Sequence, residues 1–244
     1  MRKHLSVFML YVRSSLFRIL FIFILMAVLE LVLFYFAVER VMVSESIGLE
    51  RMINRSLVGF VMGAAFLAIS AQLSIMGCEY GSKQSYTLRR LSVSEGTVFA
   101  WQALFNALMY LLLWGVQLGL VLIMCAYGVE KMGTLASNQA TFLAFYRSQF
   151  LHSLLPLGEW SRYLRNIVLI IALGLASALF GYNQRRKKLG LAMIFMLPLA
   201  ALPFAGSTGN LETDVVQILA SLCVIIWSIY KVCAKEAAES NEEA

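Results

Sequence analysis

The sequence predicts an all-α integral membrane protein with six transmembrane helices, an N-terminal interfacial helix, a short cytoplasmic helix and an outer amphipathic helix. Three observations carry that expectation. Hydrophobic residues make up 60% of the 244 and charged residues only 14%, far from the roughly 45–50% and 25% of soluble domains. The mean hydropathy is +0.77. The apolar residues are also gathered in runs suited to crossing a ~30 Å hydrocarbon core, which takes roughly 20 residues. Residues 1–235 hold about six such runs in a single polytopic domain.

Taken in order, residues 3–15 come first. Leu5, Phe8, Met9 and Val12 recur at helical spacing while Lys3 and Arg13 lie elsewhere on the wheel, which suits a helix lying along the inner interface. The first span, about 16–37, follows Arg2, Lys3, Arg13 and Arg18. It is too long for a signal-peptide core and no small-residue cleavage site follows it, so it reads as an uncleaved anchor with the N-terminus inside. The second and third spans cover about 56–77 and 96–124, the third long enough to tilt or to project past the bilayer. Residues 140–156 form a shorter apolar stretch that as a span would place Arg147, Gln149 and His152 in lipid. An outer interfacial or re-entrant helix ended by Pro156 and Gly158 is expected there instead.

The fourth span, about 164–182, runs into the basic block Arg185, Arg186, Lys187 and Lys188. The fifth, about 189–206, is broken by Pro198 and Pro203, and the sixth covers about 215–233. Residues 236–244 are an acidic cytoplasmic tail, expected to be disordered. In this layout most of the 20 Lys and Arg lie on the cytoplasmic side, as the positive-inside rule requires. Both termini are then cytoplasmic, in a multi-pass protein of the plasma membrane.

The chain carries no P-loop, Rossmann glycine pattern, HExxH pair or serine-centred GxSxG. It is therefore not expected to be an enzyme in its own right, and no cofactor or metal site is expected in it. Cys78, Cys125, Cys223 and Cys233 are scattered and read as small packing residues. The net charge of +6 follows from topology, so no nucleic-acid partner is implied.

Within the spans the polar candidates are few. Glu30 lies about 12 residues past Arg18, roughly 18 Å along the helix. An intramembrane acid handles substrate or protons, or else it is a protonated or hydrogen-bonded carboxyl packed against another helix. Gln72, Gln102 and Asn106 lie at similar depth on spans two and three, where they can glue that pair together or line an inward cavity, and Gln117 stands alone further out. Gly59 and Gly63 make a GxxxG pair, while Gly174, Ser177, Ala178 and Gly181 give span four a small face for close helix approach. Trp160, Tyr163 and Tyr182 suit the aromatic belts at the interfaces.

Between spans two and three lies the polar strip EYGSKQSYTLRRLSVSEG, residues 79–96. Ser92 to Glu95 matches a capping box, predicting a helix start at about 93 that runs into span three. Before it, Ser82 can cap a short helix that turns Tyr86, Leu88 and Leu91 to the bilayer or a partner and Lys83, Arg89 and Arg90 to water. Glu79, Gly81, Ser82, Leu88, Leu91, Val93 and Ser94 resemble the cytoplasmic motif of type-2 ATP-binding-cassette (ABC) permeases, here of the small six-span bacterial exporter type.

The resemblance implies that the short helix is a coupling helix docked in a separate ABC ATPase, with ATP and magnesium bound by that partner. Two permease copies, or a permease and a paralogue, would form the pathway for a peptide, drug or lipid. Arg89 and Arg90 would add charge-assisted contacts to the ATPase or serve as inner-side topology charges. Two other classes remain open: a non-transporting assembly or sensory partner, and a proton-coupled carrier using Glu30.

Overall fold

The computed structural model describes residues 2–43, 48–75, 94–133, 139–186, 188, 190–205 and 211–242. Among these residues there are nine helices and no strand: α1 (Arg2–Met42), α2 (Leu49–Arg55), α3 (Val58–Ile75), α4 (Glu95–Met132), α5 (Ala140–Arg147), α6 (Gln149–Leu154), α7 (Trp160–Arg185), α8 (Leu191–Ala205) and α9 (Leu211–Glu242). Helices α1, α3, α4, α7 and α9 are long and apolar enough to cross a membrane, as expected of a multi-pass membrane protein.

Helix α1 differs from the expected interfacial helix followed by a separate span. Its 41 residues form one helix about 61 Å long, twice the ~30 Å hydrocarbon thickness. The cause is visible in what it buries. Val7, Tyr11, Ser15, Ile19, Phe23, Met26, Glu30, Phe34, Val38 and Val41 form one stripe at three- and four-residue steps, with no change of face near residue 15 at which a bend could begin. The opposite face, with Phe17, Phe21, Ile24 and Val28, is apolar and exposed. Near its start, Phe8 meets the ring edges of Trp101 and Phe105 on α4, so residues 6–15 are packed on the bundle.

Helix α4 has 38 residues and extends past the expected 96–124. Its buried stripe includes Gln102, Asn106, Tyr110 and Gln117, while Leu104, Leu108, Leu111 and Leu112 are exposed. That is the pattern lipid selects, because only the bundle interior can supply partners for polar side chains. Its main neighbour is α7, which runs antiparallel to it, followed by α1. The small face of α7 explains the contact. A Cβ at Gly174 would stand 2.7 Å from the Ala107 Cβ and 3.0 Å from the Ala103 carbonyl oxygen, so only glycine lets the two backbones approach this closely.

Helix α3 rests mainly on α1 and then on α7, and it touches α4 little. Spans two and three, neighbours in sequence, are therefore not a packed pair, because α1 occupies the groove between them. Nor does the Gly59–Gly63 pair bring two helix backbones together within the chain. A Cβ at Gly63 would meet nothing within 4 Å, and one at Gly59 would meet only the Phe150 ring at 3.2 Å.

The stretch 140–156 forms two short helices with Ser148 at their junction, and the second ends at Leu154. Both are too short to cross a bilayer. They are tied into the bundle: Ser148 Oγ donates to Asn54 Oδ1 (3.1 Å), Trp114 Nε1 to the Leu154 carbonyl (3.0 Å) and Asn166 Nδ2 to the Ser153 carbonyl (3.1 Å). Trp114 lies 18 residues, about 27 Å, before the end of α4, so the tip of α6 reaches the level of the middle of that helix. Gly158, with φ +82°, makes the turn into α7 that a side chain would strain.

Helix α8 has 15 residues, about 22 Å, and is continuous through Pro198 and Pro203 where a break was expected. It brings the chain back from the Arg186 end of the bundle to the end where α9 starts. Helix α9 continues to Glu242, so the tail is helical over 236–242 where disorder was expected. The reason is local: Lys, Glu and Ala are good helix formers, and extending an existing helix needs no new nucleus.

These contacts predict that Gly174→Val lowers the stability of the purified protein in detergent by about 1–3 kcal/mol. Gly115→Ala, where an added Cβ meets nothing within 4 Å, should leave the thermal midpoint unchanged.

Candidate functional site

The residues expected to couple to an ATPase, Glu79, Gly81, Ser82, Tyr86, Leu88, Arg89, Arg90 and Leu91, lie outside the described residues, as do Ser92 and Val93. The structure does describe the helix that follows them. The cap of α4 is Ser94, whose side-chain oxygen accepts from the Thr97 amide at 3.3 Å, and the helix starts at Glu95, two residues later than expected. Glu95 is drawn elsewhere: its Oε2 accepts from Arg186 Nε (3.0 Å) and Nη2 (2.7 Å). The same guanidinium lies 4.7 Å from the centre of the Tyr182 ring, which meets Phe99 edge-on at 6.1 Å. Tyr182 is thus buried in a latch between α4 and α7 and is not part of a lipid-facing belt. An exposed ion pair contributes at most about 1 kcal/mol, so the latch matters mainly for holding the register of these helix ends.

Further along the same seam, Gln102 Oε1 accepts from Tyr11 Oη (3.3 Å) on α1 and Arg185 Nη1 (3.4 Å) on α7. Asn106 Nδ2 donates to Ser177 Oγ at 2.8 Å. These amides therefore join α4 to α1 and α7. Gln72, half-buried on α3, is not bonded to either of them. The expected meeting of amides across spans two and three is replaced by this arrangement because α3 and α4 are separated. The α3 link to α4 comes from Tyr110, whose hydroxyl donates to Ser70 Oγ at 3.0 Å.

Glu30 and Gln117 meet near the middle of the bundle. Gln117 Nε2 donates to Glu30 Oε2 at 2.9 Å, across 87 residues of sequence, and both side chains are fully buried. Glu30 Oε1 and Gln117 Oε1 have no partner among the described residues. The pair ties α1 to α4 with one hydrogen bond and leaves one acceptor oxygen on each side chain without a donor among the described residues.

A second buried polar group was not singled out from the sequence. Where α7 and α9 begin, Arg165 Nη1 donates to Asp214 Oδ1 at 2.6 Å, with the two side chains 1% and 2% exposed. Arg165 Nε and Nη2 also reach Asn166 Oδ1 at 3.2 and 3.1 Å. Ser161 Oγ donates to Asp214 Oδ2 at 3.4 Å. Arg162 contacts Glu159, which in turn lies 3.4 Å from His152. Asp214 is in the first turn of α9, where the amide ends favour a carboxylate. The legible signal was the i,i+3 spacing of Arg162 and Arg165, which puts two cations on one face of an otherwise apolar helix.

Compared with protein-family models, curated proteins and solved structures, the chain matches none. The site must therefore be read from its own chemistry. Among the described residues no three His, Cys, Asp or Glu side chains are grouped as metal ligands. The polar groups sort into a latch at the Arg186 end, amide links and one carboxyl at middle depth, and an ion-paired cluster where α7 meets α9.

Breaking a buried ion pair on one side leaves an uncompensated charge. Asp214→Asn is accordingly expected to lower stability by about 3–5 kcal/mol in denaturant unfolding of the detergent-solubilised protein. Adding Arg165→Met should recover much of the loss.

Proposed function

We propose that the chain is the membrane-spanning permease subunit of an ATP-driven exporter of the ABC type. In this reading six spans cross the plasma membrane with both termini cytoplasmic, the short α8 serving as the fifth. Residues 79–91 form the coupling helix, and a second copy or a paralogue completes the pathway. A separate ATPase binds ATP and magnesium and drives movement of a peptide, drug or lipid.

The observation that carries the reading is how the strip joins the bundle. It leads through a single N-cap, Ser94, into a 38-residue helix whose first residue is ion-paired to the end of α7. A displacement applied to residues 79–91 is therefore delivered to α4 and α7 together as a rigid-body movement. Helix α1, bonded to α4 at Gln102 and Gln117, moves with them. A motor-driven pathway needs such a stiff input, whereas a protein that merely recruits a soluble partner does not. The Glu30–Gln117 pair fits this reading as a link between α1 and α4.

Two experiments test it. With the ATPase partner co-purified, Leu88→Asp combined with Leu91→Asp should reduce substrate-stimulated ATP hydrolysis to its basal rate while membrane insertion is unaffected. Unchanged stimulation would remove the strip from the coupling role. Glu30→Gln keeps an oxygen for the Gln117 amide and removes the titratable group. Transport by this variant should match wild type at every pH, and a loss of transport together with its pH dependence would favour a proton-coupled carrier.

A further inference from the structure

A cavity of about 820 Å³ opens between α3 and α8, within the range of sites that hold small-molecule ligands. Its floor is apolar, formed by residues such as Leu113 on α4 and Leu169 and Leu173 on α7. The two flanks of its mouth are lined by small residues, Gly59, Gly63 and Ala64 on one side and Ala200 and Ala201 on the other. Faces of this kind ordinarily allow helices to touch. Here α3 and α8 touch over a short stretch only and leave beside it a slot whose rim carries the exposed side chains of Phe60 and Leu67.

The chemistry of the walls limits what can enter. Four lining side chains can form strong hydrogen bonds: Asn54, Tyr110, Trp114 and Asn166. Each already has a protein partner, namely Ser148, Ser70, the Leu154 carbonyl and the Ser153 carbonyl. None of the buried polar atoms without a partner belongs to a lining residue. Polar capacity is left only at the α2 end, where Asn54 is exposed; deeper in the slot a polar ligand would find little to replace its hydration, whereas an apolar chain would lose little on entry.

The length of the slot points the same way. Its lining on α3 runs from Val58 to Leu67, ten residues or about 15 Å, which is half of the ~30 Å hydrocarbon thickness. That is the depth of one leaflet. At the α2 end the slot begins at Asn54, followed in sequence by the exposed Arg55, which suits a headgroup carrying a phosphate.

We propose that the slot between α3 and α8 holds one acyl chain of a bilayer phospholipid, with its headgroup at Asn54 and Arg55 and its chain directed toward Leu67 and Tyr110. The site stands on the cavity alone and does not depend on ATP-driven transport. A lipid held there would fill the space that α3 and α8 leave beside their contact.

The test uses the full chain reconstituted in vesicles that contain a phospholipid with a photoactivatable diazirine on one acyl chain. After illumination, adducts should concentrate on peptides carrying residues 57–67, 110–114 and 169–173. An added Cβ at Gly63 meets nothing within 4 Å, so Gly63→Phe can fill the slot without moving the backbone. It should reduce those adducts by about tenfold. Ala201→Leu, entering from the opposite wall, should also reduce them. Gly115→Phe, at an open position outside the slot, should leave them unchanged, and all three variants should elute as folded protein.

Adducts spread evenly over all lipid-facing helices and insensitive to Gly63→Phe would overturn the proposal in favour of an ordinary lipid annulus. A Gly63→Phe variant that changes the oligomeric mass while keeping the adducts would overturn it in favour of a second copy seated on this face.

Discussion

Gly174 is the contact on which much of the remaining structure depends. Because it has no side chain, α7 comes into backbone contact with α4 at Ala103 and Ala107. At that separation the short side chains of Asn106 and Ser177 bridge the two helices, and further toward the strip the longer pairs Gln102–Arg185 and Glu95–Arg186 continue the seam. In lipid there is no hydrophobic force between apolar helices, so close packing and hydrogen bonds between them must supply the association. The seam combines both. Helix α1 then adds its own stripe to α4, and α3 closes against α1.

The two ends of α7 use charge differently. At the Arg186 end the pair with Glu95 is open to solvent, with the Glu95 side chain 47% exposed, and can break and re-form at small cost. At the other end Arg165 and Asp214 are enclosed, and separating them would strand charges where water cannot compensate them. The two ion pairs thus differ in strength, but the Arg186 end is held as well by the close approach at Gly174, the Asn106–Ser177 bond and the packing of Val232 of α9 against Tyr182.

Much of the helix content was legible in the sequence, because an apolar run of about 20 residues has few other uses. What it does not encode locally is which helices touch. Spans two and three are neighbours in sequence, yet α1 packs on both of them while they touch each other little, a result of stripes that match only in three dimensions. The continuity of α1 was hidden by Arg13, Ser14, Ser15 and Arg18, which look like a boundary although Ser15 satisfies its own hydroxyl at the Tyr11 carbonyl, 2.7 Å away. In the candidate site, Glu30 and Gln117 stand out as polar residues in apolar runs, but their pairing spans too much sequence to be read from either one. Arg165 and Asp214 escaped notice because each lies at the margin of a span, where charge is ordinary.

The Glu30–Gln117 bond also bears on how the protein is made. Glu30 enters the membrane 87 residues ahead of its only described donor, and at roughly 5–20 residues per second of synthesis that interval lasts something like 4–17 s. Through that time the first helix carries an acidic side chain without its native partner. Until α4 emerges, the insertion machinery or a neighbouring water-filled space has to shelter that carboxyl. The order of synthesis therefore makes the arrival of α4 the step at which this carboxyl first meets its native donor.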